Sequence, residues 1–142
     1  MKNVKKVLIL CTGNSARSQM AEGLLRRFGG DAFSVTSAGI SPTNVRPEAI
    51  QVMREIGIDI SAQFSKSVDR FVGDAFDYVI TVCDNANEHC PVFPGRAERI
   101  HWSFEDPAEV SGDETERLKA FREARDRIRE RLEGFINSHR TQ

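Results

Sequence analysis

No apolar run in this sequence approaches the ~20 residues that a membrane-spanning helix requires, and no repeat, low-complexity tract or linker interrupts it. The first apolar run, Val7-Leu8-Ile9-Leu10, follows the basic stretch Met1-Lys2-Asn3-Val4-Lys5-Lys6. It is too short for a secretory signal, and no small-residue cleavage site follows it. Excess charge is missing too. The net charge of −1 gives no general attraction to nucleic acid or to an anionic membrane, so any anion site has to be local. Cysteine is scarce, with three residues: Cys11, Cys83 and Cys90. An odd number argues against a simple disulfide framework. In a reducing cytoplasm, where the chain is expected, such thiols serve as core residues, catalytic groups or metal ligands. What remains is a chain of 142 residues, 39% hydrophobic and 29% charged, expected to fold as one domain over residues 1–142 and to act as a monomer.

The pattern of the chain alternates strands with helices. Lys5 to Leu10 reads as a buried strand that runs into a turn-rich loop. Ser18 to Phe28 carries Met20, Ala21, Leu24, Leu25 and Phe28 at helical spacing, stopped by Gly29-Gly30. Phe33 to Ser37 reads as a second strand. Pro47 suits the first position of a helix whose apolar stripe is Ala49, Ile50, Met53 and Ile56. Ser67 to Val72 suggests a short helical turn, Phe76 to Val82 a third strand and Arg99 to Trp102 a fourth. From about Glu114 to Ser138, residues Leu118, Phe121, Ile128, Leu132, Phe135 and Ile136 form the apolar side of a long helix. Its Arg- and Glu-rich side reads as a solvated face with some i,i+4 pairs. The fold class is therefore α/β: a four-stranded parallel sheet with helices on both faces.

In such sheets ligands bind beyond the carboxyl ends of the strands. Cys11, Cys83 and Asp106 follow the first, third and fourth strands, so all three belong at that end. The first loop, Cys11-Thr12-Gly13-Asn14-Ser15-Ala16-Arg17-Ser18, joins a strand to a helix. Its backbone N–H groups can form an anion nest, reinforced by the helix end. Gly13 gives backbone freedom, Asn14 tolerates left-handed geometry, and Arg17 offers a planar fork to two oxyanion oxygens. Residues Thr12 to Ser18 are the expected oxyanion-binding set. The same positive surroundings should favour the thiolate of Cys11 as a nucleophile, with Ser15 or Ser18 steadying it by a hydrogen bond.

This loop resembles that of the low-molecular-weight tyrosine phosphatases, whose nucleophilic Cys and anion-binding Arg match Cys11 and Arg17. The resemblance extends over essentially the whole chain and implies that fold. Glu105-Asp106-Pro107 resembles the family's general-acid loop, which implies that Asp106 is the proton donor. A phosphatase gives no role to two further thiols. Here Cys83-Asp84-Asn85-Ala86-Asn87-Glu88-His89-Cys90-Pro91, with His101-Trp102-Ser103-Phe104-Glu105-Asp106-Pro107, resembles the redox segment of the thioredoxin-coupled arsenate reductases built on the same fold. That resemblance implies arsenate as substrate and thioredoxin as reductant. It also implies a relay in which Cys11 takes arsenate, Cys83 attacks Cys11, and Cys90 attacks Cys83. No metal or cofactor is called for.

Geometry attaches a condition to the last step. Seven helical residues separate two Cα atoms by about 10 Å, and a disulfide spans at most about 7 Å. A helical Cys83–Cys90 segment would have to rearrange on oxidation.

Some members of the family bind potassium through positions matching Asn14, Glu22 and Ser37, with a further carboxylate where this chain has Lys66. The lysine ammonium is expected to take the cation's place. Two alternatives compete with reduction. One is a tyrosine phosphatase, although Ala108-Glu109-Val110 supplies no aromatic wall for a phosphotyrosine ring. The other is a zinc or arsenic-binding module using Cys83, His89, Cys90 and His101, which lacks a paired Cys-x2-Cys. His89, His101 and His139 otherwise read as surface or packing residues.

Overall fold

A computed structural model describes residues 4–139. The first three residues of the basic start, and 140–142 at the other end, lie outside the described residues. Strands β1 (Lys5–Cys11), β2 (Phe33–Gly39), β3 (Tyr78–Thr81) and β4 (Glu98–His101) form one sheet in the order β2-β1-β3-β4. Every pairing is parallel. In β1, Val7, Leu8, Ile9 and Leu10 are all fully buried. Residues of both parities are therefore covered, as expected of a central parallel strand.

Helix α1 (Arg17–Gly29) buries Met20, Ala21, Leu24 and Leu25. It stops where Gly30 takes φ +57°, a conformation cheap only without a Cβ. Helix α2 (Pro47–Arg54) is shorter than its apolar stripe suggested. Instead of continuing to Ile56, it closes with Gly57 N–H donating to Arg54 O and Ile58 N–H to Met53 O. Gly57 has φ +80°, and this paired closure is a Schellman-type stop. Val52, not Ile56, completes the buried face.

After a single 3-10 turn at Val68–Phe71 come β3 and the five-residue helix α3 (Asp84–Glu88). Helix α4 (Glu114–His139) buries Leu118, Phe121, Ile128, Leu132, Phe135 and Ile136, each contributing about 1.5–3 kcal/mol by leaving water. Phe135 meets Phe33, Tyr78, Trp102 and His139 in one aromatic cluster.

The charged side of α4 is not solvated throughout. Arg125 is buried: it donates to Val52 O at 2.8 Å and to Glu55 at 3.0 Å, and its Nε bonds Asp126. Its long stem allows it to bridge α4 to the carboxyl end of α2. No described helix is long and apolar enough to cross a membrane.

Candidate active site

The chain leaves β1 toward β2 on one side, then returns across β1 to place β3 on the other. The carboxyl ends of β1 and β3 thus flank the topological switch point of the sheet, where open α/β folds bind ligands. Cys11 is the last residue of β1 and Cys83 stands two residues beyond β3. Asp106 follows β4 and begins a 3-10 turn over Pro107–Glu109, accepting the Ala108 N–H at 2.9 Å. The three residues expected at one end are brought there.

The first loop is held from outside. Cys11 O, Thr12 O, Gly13 O and Ser15 O accept the N–H groups of Ile40, Ser41, Thr43 and Arg46, while Asn14 O accepts from Gln19 and Ser65. With the carbonyls committed to the outer side, the N–H groups of Gly13 to Ala16 face no acceptor among the described residues. They are left for an anion.

Asn14 is the hub. Its φ is +50° and it is fully buried. Its amide donates to Ser18 Oγ at 2.7 Å and Ser37 Oγ at 2.9 Å. Its carbonyl accepts from Gln19 Nε2 at 2.9 Å and the Lys66 N–H at 3.0 Å. Gly39 supplies the floor: a Cβ there would lie 2.7 Å from Thr12 O. Gln19, Gly39 and Ser65 escaped the sequence reading, which named Ser37 only as a position matching a potassium ligand. Of these, only the glycine carried a local signal.

Arg17, nearly buried, donates from NH1 to Phe104 O at 3.1 Å and sets NH2 3.5 Å from Asp106 Oδ2. Its Nε is buried with no partner among the described residues. An unsatisfied guanidinium N–H of this kind costs free energy until an oxyanion takes it. The expected anion-binding arginine is therefore incomplete without a ligand.

Cys11 and Cys83, at the ends of the neighbouring strands β1 and β3, are close enough to shift each other's titration. Cys11 is pushed up, first by Cys83 and then by burial, against the pull of Arg17. Cys83 is lowered to about 5, first by Cys11, with Thr12 and the Ala86 N–H adding to it against burial. The sequence reading weighed the pull of Arg17 and the loop on Cys11 but not the opposing push of Cys83. Ser18 Oγ accepts from the Asn14 amide.

Thr12 Oγ1 lies 3.3 Å from Cys83 Sγ and accepts from Asn85 Nδ2 at 3.0 Å. That leaves its own proton for the Cys83 thiolate. Cys90, beyond the end of α3, is half-buried, and burial pushes its thiol up. All three cysteines are free thiols. His101 is exposed, as a surface residue is expected to be, and bridges Thr81 Oγ1 at 2.7 Å and Asp84 Oδ1 at 3.0 Å. His89 Nδ1 bonds Asn85 O. Among the described residues, no three His, Cys, Asp or Glu side chains form a metal-ligand group.

Behind the loop, Glu22 receives Ser37 Oγ at 2.6 Å and Arg26 at 2.7 Å, with Lys66 Nζ at 3.8 Å. Lys66 is itself buried. Two cationic side chains thus already flank the carboxylate.

A model of the low molecular weight phosphotyrosine protein phosphatase family matches residues 6–142. The chain belongs to this family. Within it, the sequence is 46% identical to an arsenate reductase of Halalkalibacterium halodurans over 136 residues, 96% of this chain and 98% of that one. Among solved structures, an arsenate reductase in the phosphate binding state superposes with TM-score 0.76 at 37% identity, covering 94% of this chain and 98% of that one. A thioredoxin-dependent arsenate reductase from Corynebacterium glutamicum superposes with TM-score 0.67 at 32% identity, covering 96% of this chain and 64% of that one. These phosphatase-family relatives share the α/β sheet described above.

Proposed function

We propose that this protein is an arsenate reductase that works through the thiols of Cys11, Cys83 and Cys90. The observation that carries the reading is the placing of Cys11 and Cys83 at the carboxyl ends of the adjacent strands β1 and β3, at the mouth of an anion loop, with Cys90 beyond the far end of a short helix. Hydrolysis of a phosphoester needs only the first of these thiols.

Arsenate takes the N–H groups of the loop and the free Nε of Arg17. The Cys11 sulfur attacks arsenic, and an arsenate oxygen leaves as water. Asp106 protonates the departing oxygen, and the Cys11 thiol proton balances the one Asp106 gives up. Cys83, already a thiolate, then attacks the Cys11 sulfur. The S–As bond breaks with its electron pair going to arsenic, so As(V) becomes As(III) and arsenite departs. A Cys11–Cys83 disulfide remains. Cys90 attacks Cys83, releasing the Cys11 thiolate and forming Cys83–Cys90. Thioredoxin reduces that last disulfide. Cys90 must lose its proton to attack, and leaving its half-buried site removes the burial that holds the proton on. The protein acts as a monomer in the cytoplasm, where reduced thioredoxin is available.

The test is arsenate turnover with thioredoxin and its reductase, in the wild type and in Cys11→Ser, Cys83→Ser and Cys90→Ser. Reduction lost in Cys83→Ser or Cys90→Ser, with aryl phosphate hydrolysis kept, supports the relay; full turnover without either thiol overturns it. Weak phosphatase activity is the second expectation, supported by the Arg17–Asp106 pair at 3.5 Å at the same end of the sheet as Cys11.

A further inference from the structure

Helix α3 carries Cys83 at its start, and five residues of helix hold themselves weakly. Its hold on the rest of the molecule is correspondingly small. Ala86 is buried, Arg99 reaches Asn87 O at 3.5 Å, and Asn85 donates to Thr12. The remaining tie is Asp84. Its carboxylate meets His101 Nε2 at 3.0 Å and also accepts from Ser103. His101 is in turn fixed by Thr81 through Nδ1 at 2.7 Å. Thr81 ends β3, and His101 ends β4 beside it in register. The chain Thr81–His101–Asp84 thus runs from the rigid edge of the sheet to the first residue of the helix. It works with either charge state of the imidazole. A neutral ring accepts from Thr81 and donates to Asp84; a charged ring donates to both.

We infer that the Asp84–His101 pair, braced by Thr81, is a clamp that holds α3 in its reduced position. It favours the first disulfide and opposes the second. The inference rests on the three-thiol reading. With α3 seated, Cys83 stays beside Cys11, which the Cys11–Cys83 disulfide needs. The Cys83–Cys90 disulfide needs the opposite, because α3 lies between the two thiols and a helical spacer holds its ends further apart than a disulfide spans. Asp84 and His101 touch neither arsenate nor a reacting sulfur, so they are positioning residues.

Asp84→Ala and His101→Phe provide the test. In the reduced enzyme, amide hydrogen exchange over residues 84–89 is expected to quicken by roughly two- to fivefold, the scale of a partly exposed ion pair. In a single turnover without reductant, trapped by alkylation and read by mass spectrometry, the two steps are expected to change in opposite directions. Formation of Cys11–Cys83 slows and its conversion to Cys83–Cys90 quickens, each by a similar factor. Aryl phosphate hydrolysis stays at the wild-type rate, which shows that the variants fold and keep the anion loop. Unchanged exchange, unchanged steps or both steps slowing together overturn the clamp. If the wild type itself forms neither disulfide, the relay fails instead.

Discussion

Two loops carry the chemistry, and they are built in opposite ways. Residues 11–18 are locked from behind by hydrogen bonds to residues 37–46 and 65–66, with Asn14 alone making four through its side chain. Residues 83–97 have one turn of helix, few ties to the sheet, and Val92 90% exposed. The difference follows from their tasks. An oxyanion is bound best by dipoles that need no rearrangement. A sulfur that must meet first one partner and then another cannot be locked. The molecule concentrates its rigidity where charge is held and withholds it where a bond must travel.

Breaking the rigid half should cost most. Cys11→Ser is expected to lower both arsenate reduction and aryl phosphate hydrolysis by roughly three orders of magnitude or more, measured by steady-state kinetics. Asp106→Asn should cost about 10²–10⁴ in kcat for both reactions, with substrate binding largely kept. Asn14→Ala leaves several buried polar groups unpaired. It should destabilise the fold by about 2–4 kcal/mol in urea unfolding and weaken both activities together.

In the mobile half the losses separate. The thiolate of Cys83 should be seen by the pH dependence of its alkylation in a Cys90→Ser background. Because its pKa is lowered to about 5, reactivity should be at its plateau at neutral pH and fall as pH drops through about 5. An apparent value near that of a free thiol would contradict the pairing with Cys11. Adding Cys11→Ser should move it upward, since Cys11 is the largest cause of the shift. The smallest effect concerns ions. With Lys66 and Arg26 already at Glu22, exchanging potassium for sodium at fixed ionic strength should leave kcat/KM nearly unchanged. Strong potassium activation would show that the lysine does not stand in for the ion.

The same contrast decides what could be read from the sequence. Strand β1, helix α1 and the Cys11-to-Arg17 loop announce themselves because apolar periodicity and the glycine-asparagine turn are local signals. The apolar side of α4 is legible for the same reason. The supports are not. Asn14 draws its partners from Gln19, Ser37 and Lys66, and no spacing rule joins them. Arg125 sits among solvated charges on α4, and only the end of α2 beneath it, with its free carbonyl at Val52, explains its burial. The influence of Cys83 on the Cys11 thiol was not legible, because local pattern weighs the loop alone. Its nearest partner, Cys83, arrives from the neighbouring strand.

The glycine floor limits how the protein can be altered. At Gly39 any side chain would press on Thr12 O and on Asn14, so the base of the loop admits no variation. A library aimed at a different oxyanion, vanadate or a bulkier ester, has to leave this base intact. Diversity belongs at the rim, at the exposed Glu105, Glu109 and Val110, with Asp106 and the buried Pro107 between them kept.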